Sequence, residues 1–375
     1  MTMILLGGGS QIGLGVAFLA AAALVIVAGM NLSRYGNALG ERTGLGSGLV
    51  GLLVIAGITS LPELVVSGTS AFSAAAKAAE LPLGAARDAL LAGGADLALG
   101  NMLGSNVFNL MLVAVMDSVY RAGALTPRLS QRHALPASGG MVMLGIVLFG
   151  LALERHNPTL IPGLGCGVIT PILLVCYVGI MVLQNRLEQR DAGAEGDAGD
   201  KQDTGDGRRL LQMPAWCFYG ALVFLAAVIV LSGVWLSILG DRMSLPSSEG
   251  GFGLGQSFVG TFFLAISTSL PELVICISSV RLGFLDMAVG NVFGSNMFNL
   301  VIVLTADIAL RDGAILHCAG VSHLVTIAMV MVLTGITMIS LTYRSERHFA
   351  KLGLDAWLMI VVYVIGNAMV FSMAK

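Results

Sequence analysis

Ten stretches of the chain are long and apolar enough to cross a lipid bilayer, and this feature limits the possible folds more than any other. A membrane-spanning helix needs about 20 mostly apolar residues. Such stretches occupy residues 11–31, 46–75, 97–119, 135–153, 160–184, 214–239, 253–280, 286–309, 318–342 and 354–374. Only 11 % of the 375 residues are charged, whereas a soluble protein carries roughly a quarter. The sequence therefore predicts an all-α polytopic membrane protein with ten transmembrane helices.

The remaining composition excludes several other classes of protein. A formal net charge of −2 provides no basic surface that could bind nucleic acid. The five cysteines form no CxxC pair, and we predict that they are small core residues rather than disulfides or metal ligands. The chain contains no GxSxG and no HExxH motif, so we predict that it is not an enzyme and needs no cofactor.

A hydrophilic segment separates the ten stretches into two groups of five. It contains the run DAGAEGDAGDKQDTGDG, which is rich in Asp and Gly and lacks apolar periodicity, so we predict a flexible linker. The predicted domains are a first five-helix repeat (1–185), the linker (186–211) and a second five-helix repeat (212–375). Cytoplasmic loops collect Lys and Arg. Fourteen basic residues lie on one side and six on the other, which predicts a cytoplasmic linker and both termini outside.

Two motifs occur twice, once in each half. The sequence Thr-Ser-Leu-Pro-Glu stands at 59–63 and again at 268–272, and GNMLGSNVFNL (100–110) matches GNVFGSNMFNL (290–300) at eight of eleven positions. Because each copy has an odd number of spans, the two copies must have opposite orientations, which is the inverted-repeat architecture of secondary transporters with broken helices at the midplane. The first motif repeats after 209 residues and the second after 190, so we predict a polar insertion within 70–95.

The duplicated motifs place polar side chains inside apolar spans. A carboxylate such as Glu63 or Glu272 costs roughly 3 kcal/mol or more at that depth unless it has a partner, and neither motif contains Lys or Arg. Hydroxyls precede each glutamate by one helical turn, and Pro62 and Pro271 each free a backbone carbonyl. Ser and Asn stand four residues apart in the second motif. These hard oxygen donors suit Ca²⁺, Na⁺ and related cations.

At these residues the sequence resembles the calcium/cation antiporter superfamily, which comprises the sodium/calcium exchangers and their prokaryotic relatives. The resemblance covers essentially the whole chain. It implies alternating-access antiport of Ca²⁺ against Na⁺, or in some branches against H⁺, with the ions as substrates and the lipid bilayer as surroundings. Carried over by position, it implies that the ion ligands are Ala56, Thr59, Ser60, Glu63, Ser105, Asn109, Ala265, Thr268, Ser269, Glu272, Ser295 and Asn299.

The pattern departs from that of the family at one ligand. Sodium/calcium exchangers often have Asp at the position of Asn299, whereas both halves here carry Asn. Two ionised glutamates give the site a charge of −2, which one Ca²⁺ or two Na⁺ would neutralise. We therefore expect weaker Ca²⁺ binding than in a relative with Asp, and tighter binding in an Asn299→Asp variant.

Several alternatives remain open from the sequence. Coupling to H⁺ competes with coupling to Na⁺, and a cation channel would use similar ligands. The sequence is compatible with a monomer and leaves the oligomeric state open. We predict that Asp96 and Asp286 cap helices, that Asp117 and Asp307 lie near a membrane surface, and that His133 is interfacial. The other asparagines of the second motif, Asn101, Asn106, Asn291 and Asn296, are predicted to tie helices together.

Overall fold

Helices account for nearly all of the chain that the computed structural model describes, which comprises residues 11–120, 123, 125–155, 160–161, 163–194, 205–244, 248, 268–311, 314–344, 348–349 and 352–373. The helices of the first half are α1 (Gln11–Thr43), α2 (Ser47–Thr59), α3 (Leu61–Ala79), α4 (Ala85–Val119), α5 (Ala134–Glu154) and α6 (Ile169–Ala194). A π-helical stretch, Gly51–Ile55, lies within α2. Two 3₁₀ turns, Thr126–Arg128 and Gln131–His133, join α4 to α5.

The second half repeats this order wherever it is described. Its helices are α7 (Gly205–Gln212), α8 (Ala215–Ser244), α9 (Leu270–Arg281), α10 (Leu285–Leu310), α11 (Ile315–Cys318), α12 (His323–Tyr343) and α13 (Leu354–Met373). Two short antiparallel strands, β1 (His348–Phe349) and β2 (Leu352–Gly353), precede α13. The described chain is therefore nearly all-helical, with this one small ladder as an exception to the all-α prediction.

Eight of the described helices are long and apolar enough to cross a membrane, and a ninth span results if the bent pair α2 and α3 is counted as one. Of the predicted seventh span (253–280), only residues 268–280 are described, and α9 occupies the end of it. This number of apolar helices identifies a multi-pass membrane protein.

The residues predicted as a polar insertion within 70–95 are mostly helical. They lengthen α3 to 19 residues, against 12 in α9, and α4 to 35 residues, against 26 in α10. Small side chains make this helical hairpin possible, because Ala71, Ala74 and Ala78 are buried where α3 packs on α4. A Cβ at Gly94 would overlap the side chain of Ala74. The prediction of a polar excursion missed this seam, since each residue in it is only weakly apolar.

Close backbone contact joins α2 to α10, the helix that is buried along most of its length. A Cβ on Gly51 would overlap the carbonyl oxygen of Met287, and a Cβ on Gly290 would overlap that of Gly48. A Cβ on Gly294 would likewise overlap the carbonyl oxygen of Leu52. Glycines on both helices therefore let the two backbones touch, as small residues do in membrane helix pairs.

Two buried aspartates link the halves at their loops. Asp117 accepts hydrogen bonds from the backbone N–H of Leu125 at 2.8 Å and of Gly353 at 2.7 Å. Asp307 accepts them from the N–H of Ile315 at 2.7 Å and of Gly167 at 2.8 Å, and from the Thr170 hydroxyl at 2.6 Å. Each carboxylate thus holds the turn after its own helix and the segment that begins the last helix of the other half. Both side chains are buried within the protein.

A second pair of contacts also crosses between the halves. His133 Nε2 lies 2.8 Å from Asp286 Oδ1, and His323 Nε2 lies 3.0 Å from Asp96 Oδ1. The predicted caps are wrong for a geometric reason. Asp96 lies inside α4, which begins at Ala85, and Asp286 accepts the Ser130 N–H before α5 instead of capping its own helix. His133 is buried among the helices.

The described ends of the linker are helical, because α6 continues to Ala194 and α7 covers Gly205–Gln212; residues 195–204 lie outside the described ranges. Arg42, near the end of α1, contacts the end that α7 forms. Its Nη2 donates to the carbonyl oxygens of Leu210 at 2.5 Å, Leu211 at 3.0 Å and Met213 at 2.6 Å, and its guanidinium lies 4.2 Å from the Phe218 ring. Unpaired carbonyls at a helix end attract a cation. The linker therefore returns to α1 before α8 begins.

Candidate functional site

The duplicated Thr-Ser-Leu-Pro-Glu motifs form breaks between helices. Ser60 ends the helical conformation of α2, with φ −88° and ψ 1°, and Pro62 stands at the start of α3. The axis bends by 41° there. Ser269 adopts nearly the same conformation before Pro271 and α9. Proline lacks an N–H and clashes with the preceding turn, so it is tolerated at the first turn of a new helix but not within a continuous one.

All described members of the predicted ligand set are buried. Each is at most 1 % exposed, and the set comprises Ala56, Thr59, Ser60, Glu63, Ser105, Asn109, Thr268, Ser269, Glu272, Ser295 and Asn299. Ala265, the remaining predicted ligand, lies outside the described residues. The described ligands come from α2, α3 and α4 in the first half and from α9, α10 and the residues just before α9 in the second. Residues that lie far apart in the sequence are therefore brought together inside the bundle.

Hydrogen bonds join the two halves around Glu63. Its Oε1 accepts from the Ser105 hydroxyl at 3.3 Å and from the Ser269 hydroxyl at 3.4 Å. Ser269 also lies within 3.1 Å of Ser105. One carboxylate oxygen of the first half thus contacts the break in the second half.

Thr59, which lies beside the break in the first half, contacts two residues of the second half. Its hydroxyl lies 3.3 Å from the Ser295 hydroxyl, 3.4 Å from Asn291 Oδ1 and 3.3 Å from the Ala56 carbonyl oxygen. The Ala56 carbonyl also accepts the Ser60 N–H at 3.0 Å. This carbonyl, predicted as an ion ligand, therefore accepts one backbone N–H and has the Thr59 hydroxyl within hydrogen-bond distance. Asn291 reaches the same cluster, which its pattern in the sequence did not indicate.

Many buried polar atoms of this cluster have no hydrogen-bond partner in the described part of the chain. They are Ser60 Oγ, Glu63 Oε2, Asn109 Nδ2 and Oδ1, Glu272 Oε1 and Oε2, and Asn299 Oδ1. A buried carboxylate without a hydrogen bond or an opposite charge is strongly unfavourable. Two ion pairs of the described chain, His133–Asp286 and His323–Asp96, do not include these glutamates. The unpartnered atoms are mostly oxygens, which is the arrangement that a dehydrated cation would complete.

The two glutamates differ in their surroundings. Glu63 has hydroxyl donors within 3.4 Å of one oxygen, whereas the hydroxyls of Thr59 and Ser60 lie near Glu272 without reaching ordinary hydrogen-bond geometry. No group of three or more His, Cys, Asp or Glu that could hold a metal ion occurs in the described ranges. The cluster instead combines two carboxylates with hydroxyl and amide oxygens, which favours s-block cations over zinc or copper.

Comparison with known proteins identifies the family. The family described as sodium/calcium exchanger protein matches the chain over residues 14–184 and 224–373. The inner membrane protein YrbG of Escherichia coli is 26 % identical over 267 residues, covering 71 % of this chain and 70 % of that protein. The sodium/calcium exchanger MaX1 of Methanosarcina acetivorans is 44 % identical over 52 residues, covering 14 % of this chain and 15 % of that protein.

Solved structures of the sodium-calcium exchanger NCX_Mj have a similar fold. One of them superposes with a TM-score of 0.63 at 16 % sequence identity, covering 95 % of this chain and 98 % of that one. At this identity the likeness concerns the fold. The family match extends over both halves of the chain and includes both copies of each motif. The protein belongs to the sodium/calcium exchanger family, within the calcium/cation antiporter superfamily.

Proposed function

We propose that this protein exchanges Ca²⁺ for Na⁺ across the membrane by alternating access at the cluster around Glu63 and Glu272. One observation carries the proposal: two buried carboxylates with unpartnered oxygens lie near each other and near hydroxyl groups from both halves, with no described cationic partner. A divalent cation would neutralise both glutamates. Two monovalent cations would do the same, so the two cargoes compete for one set of ligands.

Coupling to H⁺ is the second candidate, and the surroundings of Glu272 favour it. Neither of its oxygens receives a hydrogen bond within the described residues, so binding a proton would relieve the cost of its buried charge as binding a metal ion would. A proton-coupled exchanger would use the same glutamates with a different counter-ion.

We propose that the chain crosses the membrane ten times as two inverted repeats, residues 1–185 and 212–375, joined by a linker at 186–211. The duplicated motifs and the matching order of described helices support this division. The bias of basic residues supports a cytoplasmic linker with both termini outside. The proposed location is a prokaryotic plasma membrane.

Ion flux into liposomes tests the choice of counter-ion. The purified protein is reconstituted, and uptake of radioactive calcium is measured with an outward Na⁺ gradient, with an outward H⁺ gradient, and with no gradient. We expect uptake driven by Na⁺. Uptake driven only by H⁺ would select the second candidate, and uptake at the same rate without any gradient would indicate a channel. Protein-free liposomes provide the control for leakage.

Cysteine labelling tests the topology. The native cysteines are first replaced, and single cysteines are then introduced by Ala198→Cys and Ala374→Cys. We expect a membrane-impermeant thiol reagent to label the first only from the cytoplasmic side and the second only from outside. Labelling of both positions from the same side would contradict an odd number of spans in the second half. Labelling in permeabilised cells controls for accessibility.

A further inference from the structure

An asparagine next to the proposed ligands controls the orientation of one of them. Asn299 Nδ2 donates a hydrogen bond of 2.9 Å to Oδ1 of Asn106, which lies on α4 in the other half. Asn106 Nδ2 donates in turn to the backbone carbonyl of Asn296 at 3.2 Å. All three side chains are buried. The resemblance to the exchangers implied no role at the site for Asn106.

The directions of these bonds follow from one group that can only accept. The Asn296 carbonyl has no proton, so the amide nitrogen of Asn106 must face it. The Asn106 oxygen then points toward Asn299, and only an N–H at position 299 can satisfy it. This orients the Asn299 amide with its oxygen away from Asn106. That oxygen has no other partner within the described residues.

The equivalent residues of the other half are arranged differently. Asn296 corresponds to Asn106 and donates to the Asn106 carbonyl at 3.4 Å, but its Oδ1 has no partner in the described ranges. Asn109, which corresponds to Asn299, has no hydrogen bond on either amide atom there. One ligand amide is therefore oriented by a hydrogen bond, whereas the other has none within the described residues, although their motifs are nearly identical.

We propose that Asn106 is a positioning residue. It orients the Asn299 amide as a ligand and disfavours a carboxylate at position 299, so that the site contains two carboxylates and not three. This inference deepens the proposed function and rests on it for the identity of the cargo. A carboxylate at 299 would place an oxygen against Asn106 Oδ1. Rotating the Asn106 amide by half a turn would not remove the repulsion, because the Asn106 oxygen would then face the carbonyl oxygen of Asn296. In both cases an oxygen–oxygen contact replaces a hydrogen bond.

The geometry changes the expectation for Asn299→Asp. Charge alone predicts tighter Ca²⁺ binding, but the lost hydrogen bond and the new repulsion oppose that gain. We expect the gain to emerge only when residue 106 can donate to a carboxylate, as the hydroxyl in Asn106→Ser can. The double variant Asn106→Ser/Asn299→Asp is expected to bind Ca²⁺ about tenfold more tightly than Asn299→Asp alone.

A double-mutant cycle tests this with two independent readouts on the full-length protein in detergent. Thermal unfolding without Ca²⁺ or Na⁺ reports the contact itself, and calorimetric titration with Ca²⁺ reports the ligand. We expect Asn299→Asp to lower the unfolding temperature and Asn106→Ser to restore part of that loss, which is a non-additive effect. Asn101→Ser is the matched control, because Asn101 lies on the same helix but donates to Ser67 at 3.0 Å. It should give no such restoration.

The outcomes separate this inference from the proposed function. Additive effects of the changes at 106 and 299, or tighter Ca²⁺ binding in Asn299→Asp alone, would overturn the role of Asn106. If liposomes that contain the wild-type protein show no exchange, while the changes at 106 and 299 still have a non-additive effect on the unfolding temperature, only the proposed function is overturned. If Asn299→Asp cannot be purified, the variant Asn106→Ala is used to test the proposal instead. It should weaken Ca²⁺ binding about tenfold while Asn101→Ala does not, and equal binding in both would refute the proposal.

Discussion

Glu63→Gln and Glu272→Gln are each expected to abolish exchange while the protein still folds. Removing one partner of a buried charge pair costs about 3–5 kcal/mol, which corresponds to roughly a hundred- to several-thousand-fold loss of Ca²⁺ affinity. Calcium flux in liposomes and calorimetric titration measure the two effects. Glu80→Gln is the matched control, because Glu80 is an exposed carboxylate just after α3. Exchange near the wild-type rate in either variant would remove that glutamate from the site.

The same variants are expected to separate activity from stability. Glu272 carries two buried oxygens with no hydrogen bond in the described part of the chain, so in the ion-free protein its charge is unfavourable. Glu272→Gln should therefore unfold at a higher temperature than the wild type when no cation is present, and Ca²⁺ should no longer raise that temperature. A lower unfolding temperature in the ion-free state would show that the Glu272 carboxylate has a stabilising structural partner.

Gly294→Ala is expected to damage both the fold and the transport. The added Cβ would overlap the Leu52 carbonyl oxygen and come within 2.7 Å of the Ala56 Cβ. Because one of these atoms belongs to the backbone, the crossing of α2 and α10 must widen, and overpacking of this kind costs about 1–3 kcal/mol or more. The shift would also move Thr59 away from Ser295, which are 3.3 Å apart in the site. Thermal unfolding and calcium flux measure the two consequences.

Gly179→Ala provides the control for that prediction. Gly179 is an exposed residue of α6, and no described atom lies within 4 Å of the position that its Cβ would take. We expect this variant to unfold and transport as the wild type does. If Gly294→Ala also behaves as the wild type does, the close contact between α2 and α10 is not required for the site.

The sequence by itself determined the class of protein and most of the helices, and it pointed to most of the buried polar residues of the candidate site. Apolarity over 20 residues is a local property that selects a membrane span whatever the neighbouring helices are. The cost of burying Glu63 or Glu272 is local too, and their identical duplicated contexts marked them as a pair. Proline at 62 and 271 determined where the helices break, because the missing N–H acts within one turn.

Only the tertiary structure decided which side chains meet. Glu63 and Ser269 are 206 residues apart in sequence, and their contact depends on how α3 and α9 approach each other. The same applies to Asp96, which the sequence presented as a cap and which instead lies inside α4 beside His323. Asn106 and Asn296 occupy equivalent positions in nearly identical motifs, yet Asn106 Oδ1 accepts a hydrogen bond from the Asn299 amide, whereas Asn296 Oδ1 has no partner in the described ranges. Local rules treat the two copies alike, whereas hydrogen-bond partners depend on the packing around each copy, and that packing differs between the halves.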